Sequence, residues 1–143
     1  MPLWQIYHPN NTFNTVAEKQ ALSRDITQFY TNDVGLPAFY VVVQFIKLHD
    51  EDVWVGGEHR TTKTPFVRIV INHIAVSTGV ELHDMMTSRF DQILKPHIAD
   101  NGFDWEYHVG ETERGLWKIN GLAPPPYKSE VEKLWAKENR PIP

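Results

Sequence analysis

Pro65-Phe66-Val67-Arg68-Ile69-Val70-Ile71 reads as a strand, and it opens the second copy of a plan that starts at Pro2-Leu3-Trp4-Gln5-Ile6-Tyr7-His8. After each strand-like run comes a capping box. Thr15 precedes Glu18 by three residues, and Thr78 precedes Glu81 by three. In each, the hydroxyl is placed to accept from a free helix N–H and the carboxylate to reach back to the cap. Leu22, Ile26 and Phe29 then make one apolar helix stripe, and Leu82, Met85, Phe90 and Ile93 make the other. A strand follows in each copy, Phe39 to Leu48 in the first and Phe103 to Val109 in the second. Pro2 and Pro65, Thr15 and Thr78, Glu18 and Glu81, and Tyr40 and Phe103 are all 63 positions apart.

The 143 residues therefore divide into a unit over 2–64, a second over 65–127 and a tail over 128–143, within one domain over 1–143. The expected fold is α+β, with two fused β-α-β units giving a four-stranded mixed sheet covered by two helices. Pro124-Pro125-Pro126 marks an extended segment in the tail, and Ser129 with Glu132 is a third capping box ahead of a short helix. A helix that short needs a surface to pack on, and another subunit is one candidate.

Composition narrows the function. The 14 Lys and Arg against 18 Asp and Glu leave a net charge of −4, and no basic stripe is present, which argues against a nucleic-acid partner. With no cysteine, thiolate nucleophiles, disulfides and zinc-thiolate sites do not apply. The start lacks a basic segment followed by an apolar run, and no stretch approaches the length of a membrane span; a cytoplasmic protein with no membrane partner is expected. No two histidines stand at the i,i+4 spacing of a helical metal motif, so neither a metal nor another cofactor is expected. Gly56-Gly57 lacks the Lys and Ser/Thr of a phosphate-binding loop.

Pro2 has a chemistry of its own once Met1 is removed. Its nitrogen becomes a secondary amine, and an apolar pocket or nearby cations would lower its pKa and make it a general base at neutral pH. It could also attack a carbonyl carbon to form an iminium. Pro65, its repeat partner, is an internal amide. Taken alone, Pro2 reads as the start of an edge strand.

With the duplicated scaffold, the order Pro2, Val53-Trp54-Val55-Gly56-Gly57, Trp105-Glu106-Tyr107 and the Pro-rich tail resembles the tautomerase superfamily, and within it the cis-3-chloroacrylic acid dehalogenase group. The resemblance covers nearly the whole chain. It implies a homotrimeric, cofactor-free isomerase with Pro2 and Tyr107 as catalytic residues, acting on a small enolisable or unsaturated carbonyl acid. Tyr30 stands where that group has a histidine, which replaces a group titrating near neutrality by one that does not. In Asn72-His73-Ile74-Ala75-Val76-Ser77, His73 and Val76 occupy the positions of two carboxylate-binding arginines, and Lys118 that of a water-activating glutamate. Hydrolytic dehalogenation is therefore not expected. Arg68, His73, Arg60, Arg114 and Asn72 are the candidate replacements for substrate binding. Arg68 can face either side of its strand, and His73 reads as a packing residue or a substrate contact. The competing class is a trimeric binding protein of the same fold that has lost the chemistry.

Overall fold

Strand β1, Pro2–Pro9, alternates as its sequence does: Trp4, Ile6 and His8 are fully buried, while Leu3, Gln5 and Tyr7 turn to the other side of the sheet. The computed structural model describes residues 1–60, 64–74 and 76–143. Helix α1, Val16–Gln28, starts at the predicted box: the Thr15 hydroxyl accepts from the Glu18 N–H at 3.1 Å, and the Glu18 carboxylate accepts from the Thr15 N–H at 2.8 Å. Leu22 and Ile26 are its buried stripe. The helix then widens into a single π turn, Phe29–Val34, closed by Gly35 at φ 82°. This left-handed conformation is one that glycine adopts at no steric cost.

Strand β2, Val42–Leu48, begins three residues later than Phe39. Pro37 starts a 3₁₀ turn over Ala38–Tyr40, which swings the Tyr40 ring onto Trp117 and away from the sheet. Trp54–Val55 and Glu58–His59 form a small hairpin, β3 and β4, whose turn is Gly56-Gly57 with both φ positive.

The second unit comprises β5 (Phe66–Ile74), α2 (His83–Leu94) and β6 (Asp104–Thr112). Its predicted capping box does not form. The Thr78 N–H donates instead to both carboxylate oxygens of Glu111, at 2.8 and 3.0 Å, and a 3₁₀ turn over Val80–Leu82 leads into α2. Phe90 and Leu94 are the buried residues of α2, whereas Leu82 and Met85 at its start are exposed. That overhang is the roof of the site described below.

The sheet order is β2-β1-β5-β6. Strands β1 and β2 are parallel, as are β5 and β6, and β1 meets β5 antiparallel in the middle, with Pro2 opposite His73 and Ile6 opposite Ile69. Two β-α-β units related by a pseudo-twofold thus put both helices on one face, over a core that includes Trp4, Ile6, Ile69, Ile71 and Phe90.

The tail packs on its own chain. In α3, Glu130–Glu138, the Ser129 hydroxyl accepts from the Glu132 N–H, while the Glu132 carboxylate reaches one residue past the cap to the Lys128 N–H. Trp135 joins Tyr40 and Trp117 in a second apolar cluster at the Pro2 end of the sheet. Among the described residues, no helix is long and apolar enough to cross a membrane.

Candidate active site

The pairing of β1 with β5 runs one residue beyond Pro2. The Met1 amino group donates to the Ile74 carbonyl at 2.7 Å, and the Ile74 N–H donates to the Met1 carbonyl at 2.8 Å. Burial, and after it the charge of Arg114, push the Met1 amine down from 8.0 to about 5, against the opposing pull of Glu132. Pro2 borders a cavity of about 230 Å³ walled by Phe29, Leu36, Val76, Leu82, Met85 and Met86.

Two polar side chains face one another there. Tyr30 is carried in by the π turn, and His73 by its place opposite Pro2. The Tyr30 hydroxyl accepts from Trp4 Nε1–H at 3.0 Å and lies 2.7 Å from His73 Nε2. Trp4 can only donate, so the tyrosine proton goes to His73, whose own proton is thereby assigned to Nδ1. Burial lowers the His73 pKa to about 4 and raises that of Tyr30. At neutral pH the pair is an uncharged imidazole held in one tautomer by a phenol that keeps its proton. Such an imidazole can donate a hydrogen bond to an oxygen on which charge develops.

The other candidates lie apart. Arg68 sits on the open face of the sheet, 2.5 Å from the Glu106 carboxylate and 2.7 Å from His108 Nδ1. Asn72 shares the parity of Arg68 along β5 and lies beside Gly110 on that face. Arg60 pairs with Asp104 at 3.1 Å, at the start of β6. Within the chain, Tyr107 also lies outside the Pro2 cavity: its hydroxyl donates to Asp91 Oδ1 at 3.0 Å, in a cleft with His83 and Thr87, and burial and Asp91 raise its pKa. Arg114 borders an adjoining cavity of about 280 Å³ on the far side of Met1. There it donates to the carbonyls of Pro124 and Pro125. Val76 lines both cavities as an apolar wall, and Ala75 beside it lies outside the described residues. Among the described residues, no group of three or more His, Asp or Glu side chains could hold a metal ion.

Residue parity carried one signal that separates these candidates. His73 keeps the odd numbering of Val67, Ile69 and Ile71, which marks the buried face, and Arg68 does not. Trp4, fully buried in the core, also supplies the donor that orders Tyr30 and His73. The apolar walls contributed by the first turn of α2 had no sequence signal beyond hydrophobicity.

The family described as "Putative oxalocrotonate tautomerase enzyme" matches the chain over residues 1–140. The chain belongs to this family. Among solved structures, RhCC from Rhodococcus jostii RHA1 is 45% identical with a TM-score of 0.92, over 99% of both chains. A protein from the thermophilic fungus Aspergillus fumigatus is 46% identical with a TM-score of 0.90, over 100% of this chain and 97% of that one. At 12% identity and a TM-score of 0.68, over 96% of this chain and 97% of that one, N1 of the cis-3-chloroacrylic acid dehalogenase family shares the tautomerase fold alone. No curated protein matches the chain.

Proposed function

We propose that this tautomerase-family chain is an enzyme that moves a proton between carbon and oxygen of a small enolisable or unsaturated carbonyl acid, with Pro2 as general base or acid after loss of Met1. The supporting observation is the position of Pro2 at an apolar cavity, in surroundings that already depress the amine one residue away. A neutral Pro2 nitrogen takes the proton from the carbon next to the carbonyl, the electron pair of that C–H bond moves into the enolate, and His73 Nδ1–H donates to the oxygen that becomes negative. Proton return to oxygen or carbon restores the amine. The Tyr30 hydroxyl acts through His73 as a positioning group. Hydrolytic dehalogenation is not part of the proposal, because His73 and Val76 supply neither of the cationic anchors that the resemblance implies.

The test is enol-to-keto conversion of an aryl pyruvate by two preparations sorted by mass spectrometry. Protein lacking Met1 is expected to accelerate conversion well above the buffer rate, and protein retaining Met1 to stay at that rate, since its Pro2 is an amide. Equal rates in both preparations would remove the amine from the mechanism. Retention of Met1 in the cell would favour the second reading, a binding protein of the same fold.

We further propose a homotrimer. The sheet face away from the helices carries Leu3, Tyr7, Val42, Ile46, Val70 and Ile74 among its polar residues, and all six are half-buried in the single chain. Three copies around an axis would cover this face. Light scattering is expected to give three times the chain's 16.6 kDa, and a monodisperse monomer would contradict the assembly.

A further inference from the structure

The Pro2 cavity, about 230 Å³, and the cleft beside Tyr107, about 410 Å³, share two wall residues, Thr78 and Met86. The partition between them is fastened at Thr78. Its N–H donates to both carboxylate oxygens of Glu111, at 2.8 and 3.0 Å, which ties the segment over 76–82 to β6. Core packing does not hold that segment in place. Val76 and Leu82 are each 43% exposed, and Met85 in the first turn of α2 is 61% exposed, although all three wall the Pro2 cavity.

A second carboxylate is placed to compete for the same hydrogen. Thr78 and Glu81 have the spacing of a capping box, and the Glu81 carboxylate lies against the Gly79 backbone, in the place a Cβ there would take. Glu111 holds the Thr78 N–H in the folded chain. Without it, the box over 78–81 can close, which draws the segment into line with α2 and away from β6. Glu111 reaches Thr78 because it pairs with His73 in the register of β5 and β6, which puts both side chains on the helix side of the sheet. A dry cavity of about 150 Å³ holds one benzene ring, so the Pro2 cavity of about 230 Å³ admits one ring with a short chain. Two fused rings need the cleft beyond Thr78.

We propose that Glu111 is a specificity-determining residue: by clasping Thr78 it closes the Pro2 cavity off from the Tyr107 cleft and limits the substrate to a carbonyl acid with an apolar body of one ring. This inference rests on the reading of Pro2 as the reactive amine and narrows the substrate class of that site by size. Glu111 touches no reacting atom and acts through the wall it holds.

Met1-free protein is tested for turnover of phenylpyruvate against 2-naphthylpyruvate, and by calorimetry with 4-phenylbutanoate against 4-(2-naphthyl)butanoate, which need not react. The unaltered protein is expected to favour the phenyl member of each pair by about tenfold or more. Glu111→Ala should lower each ratio by about tenfold. Glu111→Gln, which keeps an oxygen acceptor for the Thr78 N–H, should hold the ratios within about twofold of the unaltered protein. The ratio is the readout because the Glu111 charge also raises the His73 pKa against burial, so its loss changes both rates together. A naphthyl acid bound as tightly as the phenyl acid by the unaltered protein, an unchanged binding ratio in folded Glu111→Ala, or a Glu111→Gln variant as unselective as Glu111→Ala would overturn the proposal. Binding ratios that behave as expected in Met1-free protein that turns over neither pyruvate would leave the partition standing and count against Pro2 catalysis, so the two readings fail separately.

Discussion

Pro2→Ala is expected to lower kcat/KM for enol-to-keto conversion by ~10²-fold or more, the lower end of what a positioned general base contributes. The variant keeps an amino terminus, but a primary one whose orientation no ring fixes. Pro2 is buried at the strand end but is not a member of the central hydrophobic cluster, so the change is expected to show far more in the rate than in the melting curve. The pH dependence follows from the same surroundings. Burial and Arg114 hold the Met1 amine near 5, and an amine at Pro2 is expected to be depressed by the same causes. A base with a lowered pKa is in its working, neutral form above that pKa and loses it as pH falls through it. The rate of the unaltered enzyme should thus be level around pH 7 and decline in the acid limb. An unchanged rate in Pro2→Ala would eliminate the proline as the proton carrier.

Phe90→Ala is expected to cost ~3–5 kcal/mol of folding stability, read by urea denaturation, as large truncations of buried aromatics do. Phe90 is fully buried on the inner face of α2. It meets the Trp4 ring edge-on at 5.1 Å, with Phe29 at 5.5 Å, His73 at 6.0 Å and Tyr107 at 6.1 Å. It therefore joins the helix to both central strands and backs the imidazole of His73. Activity should fall with stability, because the cavity left behind lets His73 turn away from Tyr30. Phe90→Leu should cost less, since much of the volume is kept. A loss below about 1 kcal/mol for Phe90→Ala would mean that the site collapses around the gap and that the ring cluster is not the pivot of the core.

The two β-α-β units were legible because alternation and helical spacing act over neighbouring residues. Trp4, Ile6 and His8, and then Val67, Ile69 and Ile71, each declare a buried face, and Thr15 with Glu18 needs no partner from elsewhere in the chain. Thr78 with Glu81 has the same spelling and a different outcome, because β6 brings Glu111 to the Thr78 N–H. A local signal yields wherever a distant residue competes for the same hydrogen bond. Tyr40 illustrates the same limit. Its strand-like surroundings are interrupted by the turn after Pro37, and its ring belongs to a cluster with Trp117 and Trp135, far along the chain. Pro2 and His73 were individually visible, but their juxtaposition depends on the register of β1 against β5. The second cavity depends on a tail whose docking no periodicity describes.

The pseudo-twofold gives the chain two equivalent strand starts, at Pro2 and Pro65, yet the Pro65 nitrogen is committed to a peptide bond. On the proposal that Pro2 is the reactive amine, fusing the halves sets the stoichiometry of sites: one amine per polypeptide, whatever the number of subunits. A reagent that forms a covalent adduct with a low-pKa amine should saturate at one equivalent per chain. In a trimer the three labelled ends would alternate with three permanently silent ones.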